Sequence, residues 1–167
     1  MKKLLALAVV ILGFTAVSFG QIGKTATATA SAYIVSPISI TNAGDMNFGN
    51  VAENGTAGTV VLPVVGARTY TGGVTLPAVI GTVSPAAFTI KGTTDYAFTF
   101  SVPTTATVVA NGGAGTMSVD TWTSNSTGVL TGGEVTVNVG ATLHVTGGQE
   151  TGAYTSAIPF TVTVNYN

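Results

Sequence analysis

From Glu134 to Val145 the chain alternates. Val135, Val137, Val139, Ala141, Leu143 and Val145 share one parity, while Glu134, Thr136, Asn138, Thr142 and His144 share the other with Gly140. Successive side chains of an extended strand point to opposite faces, whereas a helix would scatter this pattern around its circumference. The segment therefore reads as a half-buried antiparallel strand. Tyr96, Phe98, Phe100 and Val102 alternate in the same way with Ala97, Thr99 and Ser101. The closing residues repeat it: Tyr154, Ile158, Phe160, Val162, Val164 and Tyr166 oppose Thr155, Thr161, Thr163, Asn165 and Asn167, with Ser156 the polar member of the apolar set.

Glycine and asparagine, which tolerate positive φ, punctuate these segments at Asn54-Gly55, Gly72-Gly73, Asn111-Gly112-Gly113, Gly132-Gly133 and Gly147-Gly148. No helical period runs through the region beyond residue 20. Short strands at such spacing predict an all-β protein, a sandwich or a barrel. Thr59 to Val65, TVVLPVV, differs in being apolar on both parities, and Pro63 lacks a ladder donor, which places this stretch at an edge or a bulge.

The chain begins with Lys2 and Lys3 followed by the apolar run Leu4 to Phe19, the pattern of a secretory signal peptide and short for a membrane span. Ser18 and Gly20 flank Phe19 as signal peptidase prefers, so residues 1–20 are expected to be removed before Gln21. What remains is one domain with no membrane span, exported to the cell surface or beyond. It carries Lys24, Arg68 and Lys91 against Asp45, Glu53, Asp95, Asp120, Glu134 and Glu150. Nucleic acid is excluded as a partner, because binding its phosphates requires clustered Lys and Arg. The chain has no cysteine, so the fold rests on its core and its hydrogen-bond ladders, with no thiol for a lipid anchor, a metal or a nucleophile.

Directly behind the signal lies a second alternating stretch, Thr25 to Val35, TATATASAYIV. Ala26, Ala28, Ala30, Ala32 and Ile34 share one side, and Thr25, Thr27, Thr29 and Ser31 the other. Stiff, β-branched threonines favour the extended state. The stretch would serve as the first strand of the domain. Its place at the end of a secreted domain points instead to a strand meant for another molecule. Only 7% of the residues are charged, so little charge is available to blunt an exposed sheet edge, and another strand is the expected cover.

Motifs for chemistry are scarce. His144, the one histidine, falls on the polar parity of its strand and reads as solvent-facing. The acidic residues lack metal-ligand spacing, and no Ser-His-Asp set can be nominated from composition. The glycine clusters lack the phosphate-loop pattern and are turns. No isopeptide chemistry is marked at Lys24 or Lys91, and no cofactor is implied. Trp122 has the parity opposite to Met117 and Val119, so either a bulge intervenes or the indole faces outward as a surface contact, able to stack on a sugar or a neighbouring subunit.

Four short words occur in order: Pro37-Ile38-Ser39-Ile40, Phe48-Gly49, Gly140-Ala141-Thr142-Leu143 within VGATLHV, and Gly152-Ala153-Tyr154 leading to Val162-Thr163-Val164-Asn165-Tyr166. With the alternating strand before them, they resemble the secreted bacterial domain of unknown function 4402 family, over nearly all of the chain beyond the signal. That family is in turn similar to the pilin and spore-coat-U type of immunoglobulin-like antiparallel β-sandwich. Ser156 departs from related endings, which often carry a second glycine there, and the disulfide of many fimbrial subunits is missing.

The resemblance implies a non-enzymatic structural subunit of an extracellular filament, fimbria-like, or of a surface layer. An extended segment of one copy would complete the sheet of the next, with residues 21–36 as the donor and 37–167 as the domain. Its partners would be neighbouring copies of itself, with a periplasmic chaperone and an outer-membrane usher for assembly. The competing reading is a monomeric secreted adhesin or carbohydrate-binding module that uses Trp122, Tyr70 or Tyr96.

Overall fold

The computed structural model describes residues 23–112 and 115–167. The expected signal peptide and its cleavage point lie outside them. Ile34–Asn167 forms one compact unit, to which residues 23–33 do not belong. Among the described residues this unit contains ten strands: β1 Ser39–Gly44, β2 Ala52–Leu62, β3 Thr69–Thr75, β4 Ala86–Lys91, β5 Phe98–Ser101, β6 Thr107–Ala110, β7 Thr116–Ser124, β8 Glu134–Val145, β9 Thr155–Ser156 and β10 Thr163–Tyr166. A single 3-10 turn, Thr131–Gly133, precedes β8. The fold is all-β, antiparallel and sandwich-like, as the alternation predicts.

The long alternating strand β8 is its spine. Along one edge, β4 pairs with the first half, from Lys91 opposite Glu134 to Ala86 opposite Val139. There β2 takes over, from Leu62 opposite Ala141 to Gly58 opposite Val145. β7 occupies the other edge, from Ser124 opposite Val139 to Ser118 opposite His144. β1 extends the sheet beyond β4, β3 beyond β2, and β6 then β9 beyond β7. β5 and β10 form a separate pair, from Phe98 opposite Tyr166 to Ser101 opposite Thr163.

The odd-numbered residues of β8 supply both halves of the core. Val137 joins Ile90, Phe98 and Leu130, with Ile40, Phe100, Val164 and Tyr166 packed around them. Ala141, Leu143 and Val145 join Val60, Val74 and Val119, covered by Phe48, Met117 and Trp122 among others. Each fully buried large side chain contributes roughly 1.5–3 kcal/mol of transfer free energy. Clusters of this kind let the unit close without a disulfide.

Three expectations change in detail. Pro63 is neither at an edge nor in a bulge: β2 stops at Leu62, one residue short of it, and lies between β3 and β8. Its two-sided apolar run divides into buried Val60 and Leu62, with Val61 38% exposed between them. The closing segment is not one strand, because only Thr155–Ser156 and Thr163–Tyr166 pair, each with a different sheet. The stretch from Thr25 to Val35 contains no strand within this chain, and the first strand of the domain is β1.

Candidate interaction site

The donor residues named from the sequence, Ala26, Ala28, Ala30, Ala32 and Ile34, are all exposed, as are the threonines between them. Tyr33 and Ile34 are 80% and 92% exposed, whereas the odd-numbered apolar residues of β8 from Val137 to Val145 are all buried. Where this segment enters the compact unit, its backbone is held by a closed ring of hydrogen bonds. The Ser36 N–H donates to Thr93 Oγ1 (2.8 Å), the Thr93 N–H donates to the Tyr166 hydroxyl oxygen (2.7 Å), and the Tyr166 O–H donates to the Ser36 carbonyl (2.8 Å). The last tyrosine thus anchors the root of the first segment.

A cleft of about 590 Å³ opens elsewhere on the unit, between residues 102–108 and residues 157–161. It arises from an interrupted ladder. Val109 and Ala110 pair with Ser156 and Thr155, and Ser101 pairs with Thr163, so the two segments run antiparallel beside each other and are joined at both ends. Between those ends, none of the backbone hydrogen bonds found outside the strands among the described residues involves residues 102–106 or 157–161. Pro103 and Pro159, one in each wall, have no N–H to give, and a ladder cannot close across them. Val108 and Ile158 are left 55% and 80% exposed, and no charged side chain lines the opening.

Trp122 lies behind this cleft. A register shift between Asp120 and Thr123, with Thr121 at φ 51°, inserts a residue into β7 and turns the indole to the side of Met117 and Val119. Of the two possibilities that its parity allows, the bulge is the one found. The half-buried ring packs on Phe160 with centroids 4.5 Å apart, and Nε1–H donates to the Thr105 carbonyl (3.2 Å). Phe160 and Thr105 belong to opposite walls, so one side chain ties both. Tyr70 and Tyr96, the other aromatic candidates, are 49% and 39% exposed on separate strands or turns, and Tyr96 meets Tyr166 edge to face.

His144 is on the outward face, as its parity predicts, and is paired with Asp120 across β7 and β8 (Nε2 to Oδ1, 2.7 Å). The Thr121 hydroxyl, donating to Asp120 at 2.8 Å, and then His144 hold the Asp120 carboxyl below the usual carboxylate range. Sequence reading missed this pair, although the even parity of both residues on strands with odd-numbered cores was a usable signal. Ser118 stands opposite His144 in the ladder, but no hydrogen bond joins them. Among the described residues no group of three or more His, Asp or Glu could hold a metal ion, and no helix is long and apolar enough to cross a membrane.

The recurring words acquire physical reasons. Gly49 has φ 69°, and a Cβ there would collide with the Ile80 carbonyl and the Val83 side chain, while buried Arg68 donates to the Phe48 and Ile80 carbonyls. Gly140 lies so close to the Leu62 carbonyl that a Cβ cannot fit, and Ala141 and Leu143 fill the core beside it. The model of the family described as Domain of unknown function (DUF4402) matches residues 38–166. The chain belongs to the DUF4402 family. No curated protein and no solved structure matches it. The DUF4402 match begins at Ile38, just after the anchored Ser36, and ends at Tyr166, the residue that anchors it.

Proposed function

We propose that this DUF4402 chain is a non-enzymatic structural subunit of an extracellular filament, fimbria-like, or of a surface layer, in which Thr25–Val35 of one copy adds as a strand to another. The observation that carries this reading is the segment itself: alternating, uncharged, exposed from Thr25 through Ile34, and in no strand, whereas the long alternating stretch Glu134–Val145 is paired along its whole length. Strand addition satisfies exposed backbone groups and needs only shallow side-chain pockets, which suits a segment of alanines and threonines. Periplasmic export, with a chaperone and an outer-membrane usher, is the route that goes with this reading.

Electron microscopy and sedimentation of the secreted chain test it. Filaments or sheets are expected from the native sequence, and a Thr27→Pro, Thr29→Pro variant, which loses two ladder donors, should give only soluble monomers. Native chains that stay monomeric, or proline variants that assemble as well as native, would overturn the reading.

A further inference from the structure

We propose that the cleft between residues 102–108 and 157–161 is the acceptor, and that its occupant is the Thr25–Val35 segment of a second copy; this deepens the strand-addition reading and rests on it. The two walls are antiparallel neighbours whose pairing is made at Val109 with Ser156 and at Ser101 with Thr163 and is missing between. Thr104, Thr105 and Ala106 in one wall have amides and carbonyls outside any backbone pairing, apart from the Thr105 carbonyl that Trp122 occupies. Unpaired main-chain groups along an uncharged opening template the addition of a strand.

The segment fits that opening on three counts. Its length suffices: a run of about seven of its residues, at about 3.3 Å each, matches the wall from Val102 to Val108, and the remaining residues leave the opening before its joined ends. Its chemistry matches, because neither Thr25–Val35 nor the cleft lining contains a charged side chain, so no ion is desolvated when they meet. Its alanine face is shallow, as a slot interrupted by two prolines and backed by Phe160 requires. The occupant is assigned to a second copy because the strand-addition reading, on which this inference rests, places the segment of one copy on another.

Because the chain has no cysteine, paired cysteines report the contact cleanly. A disulfide forms only when the two Cα atoms approach within about 7 Å. The full-length secreted chain is prepared with Ala30→Cys together with Ala106→Cys or, separately, Ala157→Cys, both at exposed wall positions. Control chains combine Ala30→Cys with Thr41→Cys on β1 or Thr69→Cys on β3, two edges of the larger sheet away from the cleft. After mild oxidation of assembled material, a non-reducing gel should show a covalent ladder of dimers, trimers and larger species for at least one wall pair and for neither control. Single-cysteine chains stop at dimers.

Assemblies that cross-link only through β1 or β3, or through none of these pairs, would overturn the acceptor while leaving strand addition standing. A wall pair that closes within a single chain would overturn the second copy as occupant. Chains that fail to assemble with every cysteine absent would instead remove the underlying reading.

Discussion

Trp122 and Phe160 stack with ring centroids 4.5 Å apart and planes inclined by 40°, although Trp122 is in β7 and Phe160 lies in no strand. Phe160 belongs to the segment that leaves one sheet after Ser156 and joins the other at Thr163, and the indole is its support on the way. Phe88, edge-on to Phe160 at 6.2 Å and tilted against Phe100 at 6.3 Å, continues the aromatic contact to the smaller sheet.

Truncating that support has a graded cost. Trp122→Phe keeps the ring contact and forfeits the bond to the Thr105 carbonyl, a loss of about 1 kcal/mol. Trp122→Ala also forfeits the stacking and the contacts with the core beside Val119, and should cost about 3 kcal/mol. Denaturant unfolding followed by circular dichroism gives both values, and equal midpoints for the two variants would show that the stacking contributes nothing.

Tyr166→Phe removes one oxygen from the ring of hydrogen bonds at the root of the N-terminal segment. The Thr93 N–H then has no acceptor, and the expected loss is about 1–2 kcal/mol. Hydrogen exchange should accelerate at Thr93 and Ser36 and stay unchanged at Leu143 in the core. Uniform acceleration at all three would mark a global effect instead.

Gly140→Ala places a methyl group against the Leu62 carbonyl, backbone that cannot swing away, where β2 meets the middle of β8. Overpacking of this kind costs typically 1–3 kcal/mol or more. Gly44→Ala is the comparison: its added carbon would meet the Ala87 methyl at 3.8 Å, ordinary contact, and its melting temperature should stay within a few degrees of native. Melting curves of the two variants measure the difference directly.

Asp120 gives the fold a dependence on acid. Its folded pKa lies below the unfolded value, so its pairing stabilises the fold above about pH 4 and is lost as pH falls through the folded value. The pair is more than a third exposed and solvent screens it, so the contribution stays below about 1 kcal/mol. Calorimetry should find Asp120→Asn slightly less stable than native at neutral pH, with the two curves converging in acid. A constant offset down to about pH 2 would show that the carboxylate charge is not the source.

What the sequence announced and what it concealed follow from the range of the forces involved. The alternation of β8 is a local signal, and its odd residues are the ones that enter both halves of the core. The outward face of His144 was legible for the same reason. The break between β9 and β10 was not, because Tyr154 to Tyr166 keeps its parity through the gap, and only the paired ends at Ser156 and Thr163 show where the ladder stops. Trp122 was ambiguous until the bulge at Asp120–Thr123 settled its side, and parity puts Asp120 and His144 on outward faces without showing that their strands are neighbours. The ring at Ser36 likewise unites positions from both ends and the middle of the domain.

The central place of β8 has a consequence for how the chain acquires its structure. β1 needs β4, while β2, β4 and β7 all lean on a strand that begins only at Glu134. Until that strand has been synthesised, the earlier segments have no spine to pair with, and neither half of the core can close. Such distant pairings make folding slow and late. Although β1 can meet β4 and β2 can meet β3 without it, a closed core waits for Glu134–Val145, and a chain that lacks its core is the kind that can be threaded end-first through a narrow channel before it folds on the far side.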